Sequence, residues 1–126
     1  MRFKDTRLAQ EYNQLPIENK RLYQLMAVID QFTELEFKKD VCITCILRTK
    51  SENDALYAQV PVEQRPNSPH LNWEGVDIRS TDFTPSEIDR LLKFINTFTF
   101  RNGKQVGVYH QVAGNALHFH IQYAKG

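Results

Sequence analysis

Cysteine is scarce in this chain, with only Cys42 and Cys45 among 126 residues. Two thiols cannot build the disulfide framework of a small secreted domain, and a chain this long buries roughly two-thirds of its unfolded surface without one. Long apolar runs are missing too: no stretch approaches the ~20 residues that cross a bilayer, which excludes a membrane span. The N-terminal Met1-Arg2-Phe3-Lys4-Asp5-Thr6-Arg7 carries charge where a secretory signal needs an apolar segment, so the expectation is a cytoplasmic product without a signal peptide. Glycine and proline number five each, too few for collagen-like or low-complexity chains. No window is densely basic, and sixteen Lys+Arg against fifteen Asp+Glu leave a formal charge of +1. Binding by counterion release from a phosphate backbone has no source here, and nucleic acid is not an expected partner.

What the chain does have is 41% hydrophobic and 25% charged residues, the balance of one soluble globular domain over residues 1–126. Leu8, Tyr12 and Leu15 predict a short helix that stops before Pro16, and Leu22, Leu25, Met26, Ile29 and Phe32 trace the apolar face of a second one running to about Phe37. These N-terminal helices occupy residues 1–40. From Val41 to Arg48 the chain reads as a strand, with a short helix over Glu52 to Gln59 capped by Ser51. The proline-punctuated stretch from Val60 to Asn72 reads as a long loop, followed by a strand over Glu74 to Arg79. Thr84-Pro85-Ser86-Glu87 is a capping box with proline at the first helical position, and it opens a helix with Ile88, Leu91, Leu92 and Ile95 on one stripe. A turn at Arg101-Asn102-Gly103-Lys104, a strand over Val106 to Gln111 and a last strand over Leu117 to Tyr123 complete the chain. The fold class is α+β, a small, mostly antiparallel sheet flanked by helices.

Cys42 and Cys45 have the Cys-x-x-Cys spacing of zinc and redox sites. On a strand, however, positions three apart point to opposite faces, so ordinary core packing is the expectation for both. The histidines are more informative, since three of the four, His110, His118 and His120, crowd the last seventeen residues. In Leu117-His118-Phe119-His120-Ile121 a strand sets both imidazoles on one face and the three apolar residues on the core face. Two adjacent imidazoles repel when protonated, and a divalent metal removes that conflict by binding them neutral. In the proline-rich segment His70 precedes Asp77 by seven positions, so His70, Asp77 and a strand histidine can supply three ligands and leave a fourth position for water. Spacing alone also leaves open a plainer arrangement, with His70 capping a loop and Asp77 in a salt bridge.

Ser68-x-His70 followed by Asp77 resembles the Ser-x-His-x-x-Gly-x-Ala-x-Asp signature of the zinc D-alanyl-D-alanine peptidases, whose wider relatives include phage peptidoglycan endopeptidases and the hedgehog signalling domain. His118-Phe119-His120 is similar to that family's closing His-x-His strand. The run Ile46-Leu47-Arg48-Thr49, continuing to Leu56-Tyr57-Ala58, resembles its strand ending in Arg-Thr and the helix with Leu-Tyr-Ala. The three segments span Val41 to the C-terminal end. Trp73 stands where the signature has glycine, and Gly75 where it has alanine. Many relatives carry a carboxylate three residues before the last ligand; here that position is Leu117, or Asn115 if His118 were the ligand. The chain therefore resembles the branch in which the first histidine of His-x-His stands beside the reacting water.

The resemblance implies a hedgehog- and peptidase-like fold with Zn2+ held by His70, Asp77 and His120. It implies His118 as the group that moves the proton, Arg48 as holder of the oxyanion or a substrate carboxylate, and Ser68 as an orienting or substrate-binding residue. Plainer roles remain open for both: Arg48 pairing with Asp54, and Ser68 as a turn residue. His110 is either a further cleft residue or an ordinary exposed histidine. The implied activity is hydrolysis of peptidoglycan stem peptides by a monomer that reaches the wall after release, as phage or prophage endolysins do. The alternative is a metal-binding structural or interaction module of the same fold that has lost the chemistry.

Overall fold

The computed structural model describes residues 1–98, 106–110 and 117–125. Within them a five-stranded sheet combines with four α-helices in the order β1 (Arg2–Phe3), α1 (Thr6–Glu18), α2 (Lys20–Phe37), β2 (Cys42–Cys45), α3 (Lys50–Leu56), β3 (Gly75–Arg79), α4 (Pro85–Ile95), β4 (Gly107–His110) and β5 (His118–Gln122). The strands lie β1-β2-β3-β5-β4, parallel for β1 and β2 and antiparallel elsewhere. The sheet is thus mixed, and the α+β class holds at that level. The parallel edge comes from β1, whose two residues are too few to carry any periodicity in the sequence. The turn expected at Arg101 to Lys104 lies outside the described residues, as do Asn115 and the segment joining β4 to β5.

Helices α1, α2 and α4 bring Leu8, Leu15, Leu22, Met26, Ile29, Leu91 and Ile95 onto the face of the sheet that carries Val76, Ile78, Phe119 and Ile121. Full burial of one such side chain contributes about 1.5–3 kcal/mol, so this face holds most of the fold's stability. The opposite face is left for polar residues. Contrary to the expected stop before Pro16, α1 runs through it to Glu18. Proline forfeits its own N–H bond and its ring crowds the carbonyl four residues back, but its fixed φ suits a helix, and buried Leu15 and the Asn19 N–H bonded to the Leu15 carbonyl at 2.7 Å hold the last turn. Asn19 then caps α2, and its amide donates to the carbonyls of Trp73 and Tyr123 at 2.9 Å each, tying the helical pair to the site-bearing segments.

Two further elements depart from expectation. The cap of α3 is Thr49 rather than Ser51, because Thr49 and Glu52 form a reciprocal capping box and the helix ends at Leu56. The Val60 to Asn72 stretch contains 3-10 turns at Val62–Gln64 and Pro69–Asn72. The box at Thr84 and Glu87 opens α4 as expected. Leu117, expected in the core, is exposed just ahead of β5, while Phe119 and Ile121 are fully buried. No helix among the described residues is long and apolar enough to cross a membrane.

Candidate metal centre

Strand register builds the centre. Asp77 on β3 lies directly opposite His120 on β5, and Arg79 opposite His118. Alternation then puts Val76, Ile78, Phe119 and Ile121 into the core and turns Asp77, His118 and His120 to the polar face. On the other side of β3 the register shifts: Ile43 pairs with Ile78, whereas Cys45 pairs with Asp77. In a regular strand Ile43 and Cys45 share a face. The bulge at Thr44 separates them, keeping Ile43 in the core and delivering Cys45 to the face of Asp77. Core packing is therefore correct for Cys42 and wrong for Cys45. A bulge depends on the partner strand, which β2 alone does not disclose.

His70 reaches the row from the 3-10 turn at Pro69–Asn72, whose Ser68 Oγ accepts the His70 backbone N–H at 3.2 Å. Its Nδ1 lies 2.9 Å from the Ile46 carbonyl and its Nε2 3.0 Å from Asp77 Oδ1. A carbonyl only accepts, so Nδ1 carries the proton and Nε2 faces the carboxylate. His120 Nδ1 is 2.9 Å from the same Oδ1, and His118 Nε2 is 3.4 Å from Oδ2. One carboxylate, 6% exposed, thus faces three imidazoles. Cys45, His70 and Asp77 each offer a ligand atom, and all three atoms lie within 4.8 Å of one another, close enough to hold a metal ion.

Gly75 makes room for this crowding. A Cβ there would stand 3.0 Å from His120 Cε1, 3.2 Å from Pro69 Cβ and 3.4 Å from His70 Cε1. Gly75→Val should push both rings off their positions and weaken metal binding roughly 10- to 100-fold, with far-ultraviolet circular dichroism unchanged; competition against a chromophoric chelator measures it.

Cys45, Asp77 and His118 line a cleft of about 640 Å³ whose walls also include Lys4, Arg7 and Arg48. Arg48 lies beyond the end of β2, where its N–H bonds the His70 carbonyl. Its guanidinium donates to Ser68 Oγ and Asn53 Oδ1, both at 3.3 Å, and approaches Cys45 Sγ at 4.0 Å. Asp54, the alternative partner, pairs instead with Lys50 and Arg65. Among the described residues Arg48 has no carboxylate partner, whereas Arg7 is paired with Glu11 and Glu52. Ser68 joins the Arg48 and His70 networks, so its hydroxyl does more than shape a turn. His110 pairs with His118 across β4 and β5.

No family model, curated protein or solved structure matches the chain. The donor chemistry is compatible with a metal ion. A ring whose Nδ1–H is held by a backbone carbonyl presents Nε2 as ligand, the outer-shell arrangement usual for metal-binding histidines. Nε2 of His70 and Nδ1 of His120 both face Oδ1 of Asp77, and among the described residues no Lys or Arg pairs with that buried carboxylate.

A proton is the other way to supply that positive charge. Burial disfavours the charged form of His70, but the hydrogen bond and charge of Asp77 outweigh it, with Cys45 adding to them, and its pKa is raised to about 10. Burial likewise opposes ionisation of Asp77, and its bonds to His120 and His70 outweigh that, holding its carboxyl well below the usual carboxylate range. In metal-free protein the His70 contribution is fully present below its unfolded pKa of about 6.5 and is lost as pH rises through about 10. The Asp77 contribution is present above about 3.9 and lost as pH falls toward its depressed folded value. Urea unfolding with chelator present should therefore give a midpoint that declines between about pH 6.5 and 10; a midpoint rising across that window contradicts the pairing.

Proposed function

We propose that the chain is a zinc-dependent peptidase acting on the peptide stems of bacterial cell wall, with the fold and site plan of the zinc D-alanyl-D-alanine peptidases and the hedgehog domain. The observation that carries this reading is the shared Asp77 oxygen, which takes His70 Nε2 at 3.0 Å and His120 Nδ1 at 2.9 Å while His118 stands 3.4 Å from the other oxygen and lines an open cleft together with Asp77. The backbone at Trp73 also supports it. Its φ of 60° is left-handed, the conformation that glycine adopts without strain, and glycine is what the signature has there.

In this reading His70, Asp77 and His120 hold the ion, and the Ile46 carbonyl and Ser68 hold His70 in place. A divalent ion so held supplies Lewis acidity and lowers the pKa of water toward neutrality. His118 is on the same strand face, two residues before a ligand and less buried than His120, and it takes or returns the proton. Arg48, lacking a carboxylate partner among the described residues, presents its planar fork to a substrate carboxylate or developing oxyanion.

Purified peptidoglycan incubated with the zinc-loaded chain should yield new amino termini, and none in the presence of chelator. Zinc binding without cleavage would overturn the peptidase and leave a metal-binding module.

A further inference from the structure

We propose that Cys45 is a further ligand of the same centre, binding a thiophilic divalent ion through its thiolate beside His70 and Asp77. This rests on the metal centre of the preceding reading and not on its peptidase chemistry. Sequence spacing pointed away from Cys45, and three independent features of the structure point toward it.

The first is register. The irregularity between Ile43 and Cys45 is what turns the thiol out of the core; without it Cys45 would share the face of Ile43 and Ile78. Cys45, Asp77 and His120 instead form one row across three neighbouring strands. The second is proximity, since the thiol, an imidazole nitrogen of His70 and an oxygen of Asp77 all lie within 4.8 Å of one another. Ligand atoms around a tetrahedral zinc stand about 3.3–3.6 Å apart, given bonds of about 2.0–2.3 Å, so side-chain shifts of little more than an ångström close the set. The third is the thiol's polar setting on the cleft wall, where the Arg48 guanidinium approaches Sγ at 4.0 Å. The sulfur lies 3.6 Å from His70 Nδ1, but the Ile46 carbonyl already takes that nitrogen's proton at 2.9 Å. Cys45 is also a wall of the cleft and only partly buried, whereas Cys42 is packed in the core.

The thiol proton leaves to solvent on binding, as metal ligation requires. A thiolate need not exclude water, because zinc sites with catalytic roles can expand to five ligands. Its consequence is selectivity: sulfur favours zinc, cobalt and cadmium over magnesium and calcium.

Cobalt(II) added to the purified, chelator-stripped full chain tests this directly. Thiolate ligation gives an intense sulfur-to-cobalt charge-transfer absorption in the near ultraviolet, while cobalt on any tetrahedral donor set gives visible ligand-field bands. Wild type and Cys42→Ala should show both, and Cys45→Ser the visible bands alone. Visible bands without charge transfer in the wild type would overturn Cys45 as ligand and leave the His70, Asp77 and His120 centre standing. Absence of both would overturn the centre itself. Charge transfer that survives in Cys45→Ser would also overturn the assignment.

Discussion

Asp77→Ala should bring metal occupancy from about one ion per chain to none after gel filtration. Both proposed imidazole ligands meet the Asp77 carboxylate, with His70 and His120 lying 3.0 and 2.9 Å from one of its oxygens. Loss of an outer-shell partner typically costs 10- to 100-fold in affinity, and loss of the charged ligand should exceed roughly 100-fold. The same change leaves His70 and His120 buried without their acceptor. Breaking a buried charge pair by removing one member costs about 3–5 kcal/mol, so metal-free Asp77→Ala should be markedly less stable than metal-free wild type at pH 6. Asp77→Asn separates the two effects: it keeps the side-chain shape and should unfold closer to wild type, yet still lose the metal. Plasma emission analysis and urea unfolding read the two arms. Full occupancy in Asp77→Ala would mean that the ion sits elsewhere.

His118→Ala should do the opposite, retaining the metal and losing turnover. His118 Nε2 is 3.4 Å from Asp77 Oδ2, a longer and less buried approach than that of His120. A positioned proton-transfer group contributes typically 10²- to 10⁴-fold, so kcat on a peptidoglycan peptide should fall within about that range while metal stoichiometry stays near one. No carboxylate stands three residues before His120, where Leu117 sits, which leaves His118 as the histidine of that strand face not assigned to the metal. Unchanged kcat in His118→Ala would remove it from the chemistry. Loss of metal would make it a ligand instead.

The sequence discloses features that depend on one element and hides those that depend on two. His118 and His120 share a face because a strand alternates, and Thr84 and Glu87 cap a helix because the box is local; both are readable from a few residues. His70 and Asp77 are readable as candidates by spacing and resemblance, but their meeting depends on a 3-10 turn that places Nδ1 against the Ile46 carbonyl. Cys45 is the clearest case of the second kind. Nothing in Val41 to Leu47 marks the bulge, since it exists only in the register of β2 against β3. The helical course of α1 past Pro16 is similar, because burial of Leu15 and the cap at Asn19 lie outside the local rule that proline ends a helix. Arg48 was legible as a strand-end arginine, but only its surroundings decide its role: Asp54 pairs with Lys50 and Arg65, and the Arg48 fork is left among Ser68, Asn53 and Cys45.

Anomalous diffraction from crystals grown with zinc, collected on both sides of the zinc absorption edge, tests the central claim most directly. The account predicts one strong peak on the polar face of the sheet, about 2.0–2.3 Å from His70 Nε2, an Asp77 oxygen and His120 Nδ1 together. Crystals with full zinc in solution and no peak touching Asp77, or a peak held by other side chains, would contradict it.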